Sequence, residues 1–259
     1  MHWWRTVAGL VCIAYGLGGG VVTVSIGGGF DDPYNAMATC GSSSFLVGIG
    51  LALLAPWLLR PLARPFAGLI GSQPSGYLAA YNTARRPHLL AGVLAPVIVL
   101  VAEAIGTVML VNIDDRTMRS TDPNMIESGR VINLLNYVVT GMISLFAVIM
   151  VVAAFAAVVA RRRPELRQLY LAGATRGQLR RCVVAEAGIV AVVGVLLGGL
   201  ASLATVVPFA IVRHEGAVPD GGLWLAPAIA IGAAAVTLLS ARAAVGLVTR
   251  PSALNQGTR

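Results

Sequence analysis

Six long apolar runs constrain this chain more than any other feature of its sequence. A helix of about 18 or more mostly apolar residues is long enough to cross a bilayer. With 57% hydrophobic and only 12% charged residues, the chain has too little polar surface for a soluble protein of its length. The sequence therefore predicts an all-α membrane protein, a polytopic bundle of six transmembrane helices. Their predicted bounds are roughly 5–27, 43–60, 88–112, 132–160, 183–212 and 223–248.

The basic residues indicate how these helices are oriented. The net charge is +8, and all 19 basic Lys or Arg residues are Arg. They flank apolar runs, which is typical of membrane helix ends and argues against a nucleic-acid-binding surface. Seven of them fall in the connection between the fourth and fifth runs, between Arg161 and Arg181. The positive-inside rule then places this connection and both termini in the cytoplasm, with the chain in the cell membrane.

A change in composition divides the chain after the second apolar run. Residues 60–86 are rich in Pro, Gly and Arg and are too polar to lie within lipid. We expect a short interfacial helix here that leads into the third spanning helix. The predicted segments are a two-helix membrane segment at 1–71, a cytoplasmic interfacial linker at 72–87, a four-helix unit at 88–250 and a cytoplasmic tail at 251–259.

The connection at 161–182 is predicted to contain a short helix. Pro164 suits the first helical turn, and Glu165 beside it complements the positive end of the helix dipole. Leu166, Leu169 and Tyr170 recur at the spacing of one helix face and form an apolar stripe.

A turn and a second helix are expected to follow. Gly173 permits a sharp reversal, Ala174 continues the turn, and Thr175 can cap a helix in which Gln178 is the third residue. An exposed apolar stripe fits the groove of a soluble partner. The residues alone leave a second interpretation open, a basic loop at the membrane surface without a partner.

The same connection resembles the signature of the FtsX/MacB-like (type VII) permease family of ABC transporters. The residues that carry the resemblance are Arg162, Arg163, Glu165, Leu169, Leu171, Gly173, Ala174, Thr175, Gln178, Leu179, Glu186, Gly194 and Gly198. A weaker similarity precedes the third helix and is carried by Ala80, Asn82, Arg85, Arg86 and Pro87. Together the two similarities cover residues 70–250.

The resemblance implies a permease that does not itself hydrolyse ATP, and the sequence has no GxxxxGK[ST] phosphate-binding loop. It implies three partners: a cytoplasmic ABC ATPase, a second permease copy or homologous permease, and the lipid membrane. No cofactor is expected. ATP hydrolysis would drive export of a lipophilic or peptide-like substrate, or force transmission across the membrane. The alternative is a non-transporting scaffold or sensor accessory. The helix that contacts the ATPase would be formed by Glu165, Leu166, Leu169, Tyr170, Gly173, Ala174 and Thr175.

Two departures from the family pattern are visible. Residues 113–131 are few where members often carry a large extracytoplasmic domain, and Pro164 replaces a residue that is more often charged. The arrangement resembles the C-terminal half of a longer actinobacterial-type permease.

Charges and glycines inside the apolar runs are further candidates. Glu103 is interpreted as a substrate or gating residue, or as a protonated or hydrogen-bonded group at a helix interface. Glu186 and Arg242 lie at similar depth and are expected to form a buried pair, interpreted as holding the helices in register or as a hinge that moves on ATP binding. Gly194 and Gly198 form a GxxxG face for close helix packing, with a dimer interface as the alternative. The His and Cys residues are scattered, so the sequence predicts neither a catalytic site nor a metal site.

Overall fold

A computed structural model of the chain describes residues 3–26, 33–70, 87–117 and 123–248. Within these ranges all regular structure is α-helical, without strands. The helices are α1 (Trp3–Ile26), α2 (Pro33–Cys40), α3 (Ser43–Ile70), α4 (Pro87–Thr117), α5 (Pro123–Arg161), α6 (Arg163–Leu171), α7 (Arg176–Val212) and α8 (Leu225–Val248).

Six of the described helical segments are long and apolar enough to cross a membrane. They comprise α1, the segment Asn35–Phe66 through α2 and α3, and then α4, α5, α7 and α8. The predicted all-α bundle with six spanning helices is therefore confirmed. Apart from Pro87, the first residue of α4, the predicted interfacial linker and the weaker similarity at 80–87 lie outside the described residues, as does the C-terminal tail.

Several helices extend beyond the apolar runs from which they were predicted. α5 begins at Pro123, before the expected start near 132, and α4 continues to Thr117. Polar residues continue a helix past the end of the apolar run, because backbone hydrogen bonds do not depend on side-chain polarity. An apolar run therefore locates a spanning helix better than it locates the ends of that helix.

α3 also exceeds its predicted end near residue 60. It continues to Ile70 although it contains Pro56, Pro61 and Pro65. A proline removes one backbone donor but does not prevent burial of the next residues. Leu59 and Ala63 are buried at a spacing of one helical turn, so the helix keeps a packed face through the proline-rich stretch.

The first of two compact units comprises Met1–Leu54, Ile98–Ala147 and Val195–Gly232. Thr205 of α7 connects to both ends of the turn between α2 and α3. Its hydroxyl donates to the Cys40 carbonyl at 2.8 Å and accepts from the Ser44 backbone N–H at 2.9 Å. These bonds satisfy backbone groups that a helix end leaves without partners in the helix.

The second unit comprises Ala55–Val97, Val148–Gly194 and Ala233–Arg259. It contains α6 and the first half of α7. Leu94, Val97 and Val190 are fully buried in it.

The spanning helices differ widely in burial. About 72% of the most apolar window of α4 and 67% of that of α7 are buried within the protein, against 22% for α5. α4 and α7 thus supply most of the packed interior, and α5 presents most of its surface to the surroundings.

Candidate functional site

α6 is a nine-residue helix between two spanning helices, with Arg162 at its N-cap position. Pro164 and Glu165 occupy its first turn, as the sequence predicts. Proline is well placed there because the first backbone N–H groups have no acceptor within the helix. The carboxylate of Glu165 complements the positive end of the helix dipole.

α6 ends in a Schellman turn. Gly173 has a φ of +99°, a backbone conformation that favours glycine. Its N–H donates to the Tyr170 carbonyl at 3.0 Å, and the Ala174 N–H donates to the Leu169 carbonyl at 3.0 Å. Both bonds satisfy carbonyl groups at the end of the helix, which fixes the direction in which the chain leaves it.

α7 begins immediately afterwards with the predicted capping box. The Gln178 backbone N–H donates to Thr175 Oγ1 at 3.3 Å, and the Thr175 N–H donates to Gln178 Oε1 at 2.8 Å. Two backbone donors at the start of α7 are thereby satisfied by reciprocal bonds. The turn between α6 and α7 is therefore defined on both sides.

The apolar stripe of α6 is not exposed along its length, and this part of the prediction is wrong. Leu166 is 4% exposed, because the first turn of α6 packs against the protein. Tyr170 is half-buried, with the guanidinium of Arg176 5.7 Å from its ring centroid. The exposed apolar residues are Leu169, at 45%, and Leu171, at 74%. Leu166 thus attaches α6 to the rest of the protein, whereas Leu169 and Leu171 remain accessible at the surface.

A buried ion pair connects the start of α6 to α7. The guanidinium of Arg162 contacts the carboxylate of Glu186, and the side chains are 13% and 3% exposed. Glu165 Oε2 also lies 3.7 Å from Arg162 Nε. Burial alone would lower the pKa of Arg162, but the adjacent carboxylate of Glu186 outweighs this effect and raises the pKa above its ordinary value.

The predicted pair between Glu186 and Arg242 is wrong. Arg162 takes this place, whereas Arg242 is exposed on α8. The reason is the face of each helix: similar depth along two helices does not place two side chains on facing sides.

Gly194 and Gly198 lie where α7 meets α4. A Cβ atom on Gly198 would be 2.6 Å from Val101 Cβ and 2.9 Å from the Ile98 carbonyl oxygen. A Cβ atom on Gly194 would be 2.5 Å from Val97 Cγ1. Both glycines therefore permit close packing within the chain. The face of α7 that carries Gly194 and Gly198 therefore packs against α4 of the same chain, where the alternative prediction was a dimer interface.

Glu103 lies in α4 within the first unit and is 7% exposed. The Thr107 hydroxyl donates to its Oε1 at 3.2 Å. Among the described residues, Oε2 has no hydrogen-bond partner. The residues around α6 belong to the second unit, so Glu103 is a separate candidate.

Sequence reasoning missed a cluster of polar side chains. It lies near the C-terminal ends of α4 and α7 and the N-terminal part of α5. Asp114 is 1% exposed and forms an ion pair with Arg213. Asn133 Nδ2 donates to Asp114 Oδ2 at 3.1 Å and to Asp115 Oδ1 at 2.8 Å. The available signal was the pair of opposite charges directly after the third and fifth apolar runs.

The region that contains α6 is similar to a known protein family. Residues 137–252 match the family model described as FtsX-like permease C-terminal. The match begins in α5 and includes α6, α7 and α8. No curated protein and no solved structure matches the chain.

The matched region therefore contains the Schellman turn, the capping box and the ion pair of Arg162 with Glu186. Permeases of this family are transporter components and typically work with ABC ATPase partners. The chain is a multi-pass membrane protein and a permease component of an ABC-type system. The match of residues 137–252 to the FtsX-like permease C-terminal model supports an assignment of this region to the FtsX/MacB-like permease family.

Proposed function

We propose that this chain is a permease subunit in the cell membrane and that α6 is its coupling helix. A separate cytoplasmic ABC ATPase would bind α6, and its ATP hydrolysis would drive export of a lipophilic or peptide-like substrate or force transmission. The observation that carries the proposal is the exposure of Leu169 and Leu171 on a short helix held rigidly between α5 and α7.

The exposed surface of α6 has the chemistry of a docking surface. Burial of a leucine side chain contributes about 1.5–3 kcal/mol, so Leu169 and Leu171 can anchor α6 in an apolar groove. Arg163 and Arg176 are exposed beside them. The complementary partner is a groove with an apolar floor and an acidic rim, since charge complementarity speeds association and selects the partner.

The fixed geometry of α6 supports a role in coupling. The Schellman turn, the capping box and the buried pair of Arg162 with Glu186 hold α6 in place before any partner arrives. Binding to a preorganised helix does not require that helix to become ordered, which favours affinity. A helix held in this way moves with α7, so movement of the ATPase would reach the spanning helices.

Orientation and assembly follow the same proposal. The concentration of Arg between 161 and 181 supports a cytoplasmic location for α6 and for both termini. Residues 88–250 would form the four-helix permease unit, preceded by the helix pair. A second permease, either another copy or a homologous chain, would complete the transporter.

Co-purification with the ABC ATPase encoded beside this chain tests the proposal. We expect wild type to retain the ATPase in detergent and both Leu169→Asp and Leu171→Asp to release it. Leu223→Asp is a matched control, because Leu223 is 53% exposed in the connection between α7 and α8. It should retain the ATPase.

Each result has a defined meaning when the variants remain monodisperse. Retention of the ATPase by Leu169→Asp and Leu171→Asp would show that α6 is not the docking surface. Failure of wild type to bind the ATPase would favour the non-transporting scaffold or sensor accessory.

A further inference from the structure

A half-open cavity of about 250 Å³ lies beside Glu103 in the first unit. All of its lining residues belong to spanning segments: they come from the end of α2, the turn to α3 and the start of α3, from α4 and from α5. The pair of Arg162 with Glu186 and the coupling helix are not part of it.

The carboxyl group of Glu103 gives this cavity its chemical character. It is more than nine-tenths buried, the Thr107 hydroxyl donates a hydrogen bond to its Oε1, and the Thr140 hydroxyl also lies beside the carboxyl group. No described Arg or His forms an ion pair with it. A carboxylate inside a membrane is costly unless a cation or a proton compensates its charge.

The polar atoms around Glu103 match the donors of an ammonium group. An ammonium has three N–H donors and no acceptor. Thr140 and Asn136 line the cavity together with Glu103. Asn136 Nδ2 contacts Met37 Sδ at 3.3 Å, so the side-chain oxygen of Asn136 remains as an acceptor. The carboxylate, the Thr140 hydroxyl and this amide oxygen supply one acceptor for each N–H.

Apart from Ser42, the remaining side chains that line the cavity are apolar. Phe45, Leu110, Val139 and Ile143 line the cavity. Val139 is 44% exposed, and its neighbours Val138 and Met142 on α5 are 50% and 68% exposed. Because its lining residue Val139 lies on the exposed face of α5, we place the mouth of the cavity there, where an amphiphile dissolved in the bilayer can enter.

We propose that this cavity binds the protonated amine head of a single-chain amphiphile, with Glu103 as its counter-ion. The volume of about 250 Å³ is below the range of about 300–1,000 Å³ of sites that enclose a whole drug-sized ligand. It accommodates the head group and the first carbons, and the remaining chain lies along α5. If the bound amphiphile is the transported substrate, this inference rests on the proposed function and deepens it. Binding of an amine by the cavity does not depend on that function.

Native mass spectrometry of the full chain in detergent micelles tests the site without any ATPase. Dodecylamine is the probe, and dodecanol is the uncharged probe of equal chain length. We expect one dodecylamine per chain and binding of dodecanol at least about tenfold weaker, because hydrogen bonds to a charged group contribute about 1.5–3 kcal/mol. Equal binding of the two probes would overturn the proposal.

Variants assign the binding to this cavity. Glu103→Gln should weaken dodecylamine binding at least about tenfold while leaving dodecanol binding unchanged. Glu127→Gln, which neutralises an exposed carboxylate of α5 outside the cavity, should bind like wild type. Wild-type affinity in Glu103→Gln would overturn the proposal.

Val139→Trp provides a test that leaves the buried carboxyl group intact. It fills the mouth from a partly exposed position, so it is compatible with folding even if Glu103→Gln is not. Loss of dodecylamine binding supports the proposal, and unchanged binding contradicts it. Failure of these binding tests would leave ATPase co-purification unaffected, which separates this inference from the coupling role of α6.

Discussion

Arg162 and Glu186 form a buried ion pair although they lie 24 positions apart in the chain. Arg162 immediately precedes α6, and Glu186 lies within α7. The pair therefore fastens the first turn of the proposed coupling helix to a spanning helix. The last turn of the same helix is fixed separately through Gly173.

Glu186→Gln should destabilise the chain strongly. Removal of one partner leaves the guanidinium of Arg162 buried without its counter-charge, at a cost of about 3–5 kcal/mol. Glu165→Gln is the control, because Glu165 is 41% exposed and 3.7 Å from Arg162, where an exposed pair contributes at most about 1 kcal/mol. Thermal unfolding in detergent measures both. Equal losses from the two variants would contradict the assignment of Glu186 as the principal partner.

The contribution of Arg162 should not depend on pH over the range in which the protein is handled. Its pKa is raised above the ordinary value, mainly by Glu186 against the opposing effect of burial. A raised pKa gives stabilisation that is complete below the unfolded-state value and is lost only as pH rises through the folded-state value. An arginine is effectively always protonated in the unfolded chain, and the pKa of Arg162 is higher still in the folded protein. The difference in unfolding temperature between wild type and Arg162→Met should therefore be the same at about pH 7 and about pH 10. A difference that shrinks toward the higher pH would show that another group controls the pair.

Gly173→Ala should cost about 1–2 kcal/mol of stability through backbone conformation alone. No atom lies within 4 Å of the position that the new Cβ would occupy, so the φ of +99° is the source of the cost. Gly177→Ala is the matched control inside α7, where no positive φ is present and alanine is favourable by about 0.5–1 kcal/mol. Chemical denaturation of both variants compares them. A neutral Gly173→Ala would mean that the turn adopts another conformation.

Gly198→Ala should destabilise the contact of α7 with α4, whereas Gly199→Ala should not. The added methyl group at position 198 would be 2.9 Å from the Ile98 carbonyl oxygen, a backbone atom that cannot move independently of α4. Overpacking of this kind costs about 1–3 kcal/mol. Position 199 has no atom within 4 Å of its Cβ direction, so alanine there has room. Thermal unfolding of the two variants side by side gives the answer, and equal stability would exclude the close approach.

The sequence was sufficient to predict the spanning helices and the turn after α6. Both depend on information carried by a few consecutive residues. Hydropathy needs only an uninterrupted apolar run, and the capping box needs only Thr175 and Gln178 at the correct spacing. α2 was not predicted because eight residues that include Asn35 and Thr39 are too short and too polar to give this signal.

The identity of contacting side chains was less accessible. Leu166 and Leu169 share the periodicity of one stripe, yet one is buried and the other is exposed. Arg242 was predicted to pair with Glu186, whereas Arg162 does so, because depth along a helix can be read from sequence but the rotation of the helix about its own axis cannot. The cavity beside Glu103 combines residues from several helices and depends entirely on such rotations.

Because α4 is mostly buried and α5 mostly exposed, the two helices should tolerate amino-acid substitutions to different extents during evolution. α5 meets its surroundings along most of its length, so one apolar residue can replace another at its exposed positions with little effect on folding. α4 has no such freedom, since each of its turns is shaped by neighbouring side chains. Related chains should therefore drift apart in α5 while keeping the size and shape of residues in α4. A library of random apolar substitutions would show the same asymmetry, with losses of folded protein concentrated in α4.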